Sequence, residues 1–195
     1  MLNDRTSILR LLETRRSGRP RDLVAPGPDA EELRRILTIA TRTPDHGKLH
    51  PWRFVHVPAD RRVDFAALLD HAYRIDNPAP GRLELEANER FAHQAPELVV
   101  VLSAPVPDSK IPLWEQELSC GAACMNLALA AHALGFAAGW VTGWATYSDA
   151  VRDAFGRTGE RIAGFVFLGT PGVELEERPR PDYGAVVSGW TPDNE

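Results

Sequence analysis

Residues 112–142 read PLWEQELSCGAACMNLALAAHALGFAAGWVT. A helix is predicted over 112–134. From Cys120 to Leu134 it is apolar nearly all round, which places it through the centre of a core. Gly135 then ends it as the glycine just past the last turn. Residues 136–142 follow as a strand. Working outward, Leu98–Val99–Val100–Val101–Leu102 is a β-branched apolar run, so 97–103 is a buried strand. On the far side, Ser148 caps a short helix ended by Gly156, and residues 162–168 form another strand before the turn Thr170–Pro171–Gly172.

Toward the N-terminus, residues 4–16 read as a helix with the stripe Ile8, Leu9, Leu11 and Leu12, capped at Asn3 or Asp4 and stopped by Ser17–Gly18–Arg19–Pro20. Asp29 and Glu32 make a capping box for a helix over 30–42, with Leu33, Ile36, Leu37 and Ala40 on one face. The polar loop 43–48 leads to a short strand over 52–57. Helices over 60–76 and 82–94 are separated by the break at Pro78–Gly81. The tail, 173–195, is acidic and proline-rich and has no core of its own. No repeat, low-complexity block or linker interrupts the chain. One α+β domain over 1–195 is expected, with 173–195 as a C-terminal extension.

The 195 residues carry a net charge of −5, with 44% hydrophobic and 25% charged residues, which excludes wholesale disorder. The charge is uneven. Residues 1–62 hold 13 basic against 8 acidic side chains, and 63–195 hold 9 against 19. Only Lys48 and Lys110 are lysines. Such an arginine-rich third suits nucleic acid, an anionic cofactor, or neither. No run of about 18 apolar residues predicts a membrane span, and residues 1–21 lack the apolar region of a secretory signal. Cys120 and Cys124 lack the C-x-x-C spacing and read as small buried side chains. These features point to a reducing cytoplasm.

Several motifs are missing. There is no G-x-G-x-x-G and no G-x-x-x-x-G-K-[ST], which argues against the Rossmann and P-loop phosphate sites. G-x-S-x-G is also missing. His46 and His50 stand four apart beside Asp45, but Pro44, Gly47 and Pro51 deny them a helix, so no metal site is expected.

Two segments carry chemistry. Arg15–Arg16–Ser17–Gly18–Arg19 offers guanidinium forks and a hydroxyl suited to a phosphate; a solvated helix end is the plainer alternative. Residues 43–54, TPDHGKLHPWRF, form a cationic loop running into an aromatic strand. Together, in this order and spacing, they resemble the FMN-dependent nitroreductase family, in particular its compact YdjA-type NAD(P)H nitroreductases. Trp114–Glu115–Gln116–Glu117, Gly135–Phe136 followed by Trp140, and the stretch Arg161–Pro171 extend the resemblance over about residues 5–172.

The resemblance implies a mainly antiparallel sheet flanked by helices. It also implies a homodimer with FMN at its interface and a C-terminal tail extending onto the partner subunit. Arg15, Arg16, Ser17 and Arg19 match the phosphate-binding segment, and Arg42, His46 and Lys48 the helix end and following loop. A cation there would favour reduced flavin. Trp140, Val141 and Thr142 match the strand end along the ring, with Arg161 as a further contact. Ala130, Ala131, His132, Ala133, Leu134 and Gly135 match a stretch assigned to the nicotinamide nucleotide. Val141 and His50 depart from the subgroup's arginine and glutamine.

The implied activity is electron transfer from NADH or NADPH through FMN to a flat acceptor, a nitroaromatic or quinone, in a ping-pong scheme. The flavin carries the chemistry, so no catalytic side chain is assigned. The alternatives are a flavin sensor or store, or a related flavin enzyme such as a reductive dehalogenase. A dianionic phosphate replaces nucleic acid as the partner of the basic third; no membrane partner is expected.

Overall fold

The computed structural model describes residues 1–192; positions 193–195 of the expected C-terminal extension lie outside the described residues. Eight α-helices are found among them: α1 (Ile8–Thr14), α2 (Ala30–Ala40), α3 (Arg62–Asp76), α4 (Arg82–Ala92), α5 (Leu113–Leu134), α6 (Trp144–Tyr147), α7 (Asp149–Phe155) and α8 (Tyr183–Val186). The strands are β1 (Leu23–Val24), β2 (Trp52–Val57), β3 (Glu97–Ser103), β4 (Ala137–Val141) and β5 (Arg161–Pro171). No helix among the described residues is long and apolar enough to cross a membrane.

The strands form one antiparallel sheet, in which β5 pairs with β3 and β4, β3 with β2, and β1 with the last two residues of β5. Period-two alternation explains its burial. From β3, Leu98, Val100 and Leu102 enter a cluster with Phe65 and Leu69 of α3 and Phe165 and Phe167 of β5. Val99 and Val101 face the opposite cluster, with Ile36 of α2 and Cys120, Cys124 and Leu127 of α5. The sheet is thus covered on both faces, as the apolar run in β3 requires.

Two local signals read in the sequence recur as predicted, whereas Ser148 precedes α7 without a capping bond from its hydroxyl. Asp29 and Glu32 form the capping box of α2, and Gly135 ends α5 at φ 104°. Cys120 and Cys124 are buried free thiols.

Other expectations are corrected. The first helix is shorter and is capped by Ser7, whose Oγ accepts from the Arg10 amide; Asp4 instead accepts from Thr6 one turn earlier. Only Leu11 of its stripe is buried, while Ile8, Leu9 and Leu12 are exposed. β5 runs on through Thr170 and Pro171, because β1 supplies partners there. The Cys120–Leu134 stretch of α5 is not buried all round, since Met125 and Ala133 are exposed; ahead of it Leu113, Trp114 and Leu118 are exposed as well.

Arg62, next to the exposed Arg61, is only 3% exposed. Its guanidinium donates to the carbonyls of Val57, Ala92, Gln94 and Pro96 at 2.9–3.3 Å. Arg53, from the cationic block, is also structural. It donates to both carboxylate oxygens of Glu160 and to the Phe155 carbonyl. This pair holds the Glu160 carboxyl below its ordinary range.

Candidate functional site

The segment after α1 lies along the edge strand β4. The Gly18 amide donates to the Ala138 carbonyl at 3.2 Å. Glycine is required opposite, because a Cβ on Gly139 would stand 2.6 Å from the Gly18 oxygen. Asn3 fixes the segment from the other side, accepting from the Arg16 amide at 2.8 Å and donating to the Arg16 carbonyl at 3.2 Å. The backbone that carries Arg15, Arg16 and Ser17 is therefore clamped on both sides.

Arg15 is half-buried and donates to Ser17 Oγ at 3.2 Å. Burial, then the nearby Arg180 and Arg16, push its pKa down, with Glu177 opposing. Arg16 donates to the Glu176 carbonyl at 2.7 Å, and the exposed Arg19 stands 3.8 Å from the Glu176 carboxylate. A cleft of about 150 Å³ opens between this segment and residues 173–176. Like charges gathered at a partly desolvated point favour an anion. Arg180 was missed in the sequence because the acidic average of the tail hid the Arg178–Pro179–Arg180 pair.

The strand end Trp140–Val141–Thr142 lies farther along β4. Trp140 is 42% exposed, and its indole Nε1 donates to the Ala163 carbonyl at 3.2 Å. The indole rests on Gly164, where a Cβ would stand 2.2 Å from Nε1. Thr142 and Gly143 border a cavity of about 320 Å³, walled by Tyr73, Phe91 and Trp144 with Glu84 and Asn88. Asn88 is 5% exposed. Its Oδ1 accepts from Trp144 Nε1 at 3.0 Å, while its buried Nδ2 has no hydrogen-bond partner. Such a donor is costly unless something accepts from it. One asparagine in a charged helix carries no sequence signal for this role; only the fold places it beside Thr142.

Arg42, His46 and Lys48 form a separate group, all exposed. Asn126 Nδ2 donates to the Arg42 carbonyl at 2.8 Å, and His46 Nδ1 lies 2.7 Å from Glu115 Oε2. Trp52 Nε1 donates to Ser119 Oγ, which donates to the Pro44 carbonyl. The loop is thereby tied to the first half of α5. No hydrogen bond or ion pair joins these three residues to the arginine cluster among the described residues. Arg161 also stands apart, 73% exposed and 3.7 Å from Glu117.

Of the proposed nicotinamide stretch, Ala130, Ala131 and His132 are buried, and Ala130 and Ala131 offer a ligand no surface. Ala133 and Gly135 are exposed, and Leu134 is half-buried. His132 backs a cleft formed with Asn3, Arg5 and Phe136. Its Nδ1 lies 3.2 Å from the Phe136 carbonyl, so the neutral ring donates there and leaves Nε2 as an unpartnered acceptor. Burial pushes its pKa from 6.5 to about 4, the Phe136 carbonyl opposing and Arg15 assisting.

The unfolded chain protonates this ring as pH falls through 6.5, whereas the folded chain resists until about 4. Stability is expected to be complete above that window and to fall through it by on the order of 3 kcal/mol. Urea midpoints across the window should show this slope in the wild type and lose it in His132→Leu. An equal slope in the variant would assign the effect to other groups.

Known proteins agree with this architecture. A family model, Nitroreductase family, matches residues 12–170. Two relatives carry the name "Putative NAD(P)H nitroreductase". The one from Haemophilus influenzae is 41% identical over 172 residues, covering 87% of this chain and 91% of the relative. The other, YdjA from Escherichia coli K12, is 37% identical over 164 residues, covering 84% and 87%. The solved NADPH:FMN oxidoreductase from Vibrio harveyi, complexed with NAD+, shares the fold at TM-score 0.68 and 18% identity, covering 92% of this chain and 75% of that one. The antiparallel sheet with helices on both faces, the clamped arginine segment and these matches make the chain a member of the nitroreductase family.

Proposed function

We propose that this chain binds FMN and transfers electrons from NADH or NADPH to a flat acceptor such as a nitroaromatic or quinone. The carrying observation is the half-buried Arg15, which has Arg16 and Arg180 for neighbours and needs an anion. Arg15, Arg16 and Ser17 would hold the phosphate, with Arg19 and Arg180 at its edge. Trp140, Val141 and Thr142 would lie along the ring. The unpartnered Asn88 Nδ2 beside Thr142 is left to the flat acceptor that would lie against that ring. When bound, the flavin supplies two-electron transfer between nicotinamide and acceptor. The protein supplies one slot, which the two substrates occupy in turn; a ping-pong order follows.

The working unit is a homodimer. The exposed Ile8, Leu9 and Leu12 of α1 and Leu113, Trp114 and Leu118 of α5 call for apolar cover. Arg42, His46 and Lys48 lie beside the open face of α5, so a second copy would bring them to the other copy's flavin. They would supply the cation that favours its reduced state. Arg161 and the exposed end of the Ala130–Gly135 stretch remain secondary contacts for flavin and nicotinamide. The tail, which touches its own arginines through Glu176 here, would extend onto the partner. Residues 1–195 act as a single domain in the cytoplasm, and neither nucleic acid nor membrane is a partner.

The purified protein should be yellow, with bands near about 370 and 450 nm. Anaerobic NADH or NADPH should bleach it, and a quinone or nitroaromatic should restore the colour. A flavin-loaded protein that neither nucleotide bleaches would refute the proposal.

A further inference from the structure

The cavity beside Thr142 has aromatic walls and one charge. Tyr73 and Trp144 meet edge to face, with ring centroids 4.8 Å apart. Among the described residues Glu84 is the only charged one in the lining. Its carboxylate is fixed at both oxygens. Oε1 accepts from the Tyr73 hydroxyl at 2.8 Å, and Oε2 accepts from the Gly81 amide at 2.7 Å. The same two bonds hold its carboxyl below the ordinary range, so it is ionised at neutral pH. The arginines on α3 and α4 are engaged elsewhere, Arg62 with four backbone carbonyls, Arg74 with Asp70, and Arg82 and Arg90 with Glu86. Across the cavity, Asn88 offers its unpartnered amide hydrogen.

We infer that this cavity receives the flat acceptor and that Glu84 sets the acceptor's charge class. Neutral or cationic aromatic rings carrying a hydrogen-bond acceptor for Asn88 are admitted; rings bearing a carboxylate or sulfonate are repelled. Calling the occupant an acceptor rests on the proposed flavin function. The charge filter itself rests on the cavity, on a carboxylate that is hydrogen-bonded but has no cation beside it among the described residues, and on the buried amide. A like charge entering within several ångströms of Glu84 at a partly exposed site should weaken binding by about tenfold. Salt should shrink the effect, since the screening length is about 10 Å at 0.1 M.

Glu84→Gln removes the charge but keeps an oxygen for the Gly81 amide and so preserves the α4 cap. Calorimetric titration of wild type and variant, without nicotinamide nucleotide, would use p-nitrobenzamide, p-nitrobenzoate and p-nitrophenyltrimethylammonium at low and high salt. In the wild type at low salt, benzoate should bind about tenfold more weakly than the amide, and the ammonium at least as tightly as the amide. The benzoate-to-amide ratio should fall by about tenfold in the variant and narrow at high salt in the wild type. Equal wild-type affinities, or an unchanged ratio in the variant, overturn the inference. Bleaching of the same samples by NADH or by NADPH reports on the flavin function separately. Bleaching without the charge order overturns the filter alone. The charge order without bleaching removes the flavin function and leaves the filter standing.

Discussion

Arg62→Met should destabilise the protein by about 3–5 kcal/mol, which for a chain of this size lowers Tm by about 6–20 °C. Methionine keeps the apolar stem but ends three heavy atoms short, so a small void adds to the loss. What is lost is the set of donors. The carbonyls of Val57, Ala92, Gln94 and Pro96 come from the end of β2, the end of α4 and the turn into β3, and one planar guanidinium serves all four. Each buried carbonyl left without a donor costs about 1–3 kcal/mol. Removing a desolvated charge, whose pKa burial already lowers, offsets part of that. Arg62→Lys should recover little, because an ammonium cannot span the four acceptors. Chemical denaturation provides the measurement, and a loss below about 1 kcal/mol in Arg62→Met would show that water replaces the guanidinium.

Arg15→Ala should weaken FMN binding by about 1.5–3 kcal/mol, or roughly 10–150-fold in Kd. Arg15 is the arginine of the cluster shifted by burial, so its hydrogen bond to a phosphate is the least screened. The exposed Arg19, already near Glu176, should matter less. Stability without flavin serves as the control. Arg15 lies among like charges, so its removal should leave the flavin-free protein no less stable. Fluorescence titration with FMN measures the loss. Unchanged affinity with Arg15→Ala would return this residue to the role of a solvated helix end.

Both variants show how far the sequence could be read. Arg15 was legible because Arg-Arg-Ser after a helix, followed by the Pro-Asp-His and Pro-Trp-Arg-Phe block, is a local pattern in a recognisable order. Arg62 was not legible. It follows Arg61 in a charged helix start, and nothing local distinguishes the exposed arginine from the buried one. The same limit applies to Arg180, which stands near Arg15 only because the tail returns to the segment after α1. It applies again to Asn88, whose unpartnered donor exists only where α4 meets Trp144.

What the sequence determined by itself is the family and the order and type of the longer elements, though not the short β1, α6 and α8. Helical caps, the glycine ending α5 and the apolar run of β3 act over a few residues, so their physics is written locally. The tertiary structure decided which apolar faces are covered. The stripe of α1 and the outer side of α5 have the composition of a core, yet among the described residues no further element packs against them. It also decided which polar groups are left unpaired, His132 Nε2 and Asn88 Nδ2 among them, because hydrogen-bond satisfaction in the interior depends on neighbours distant in the chain.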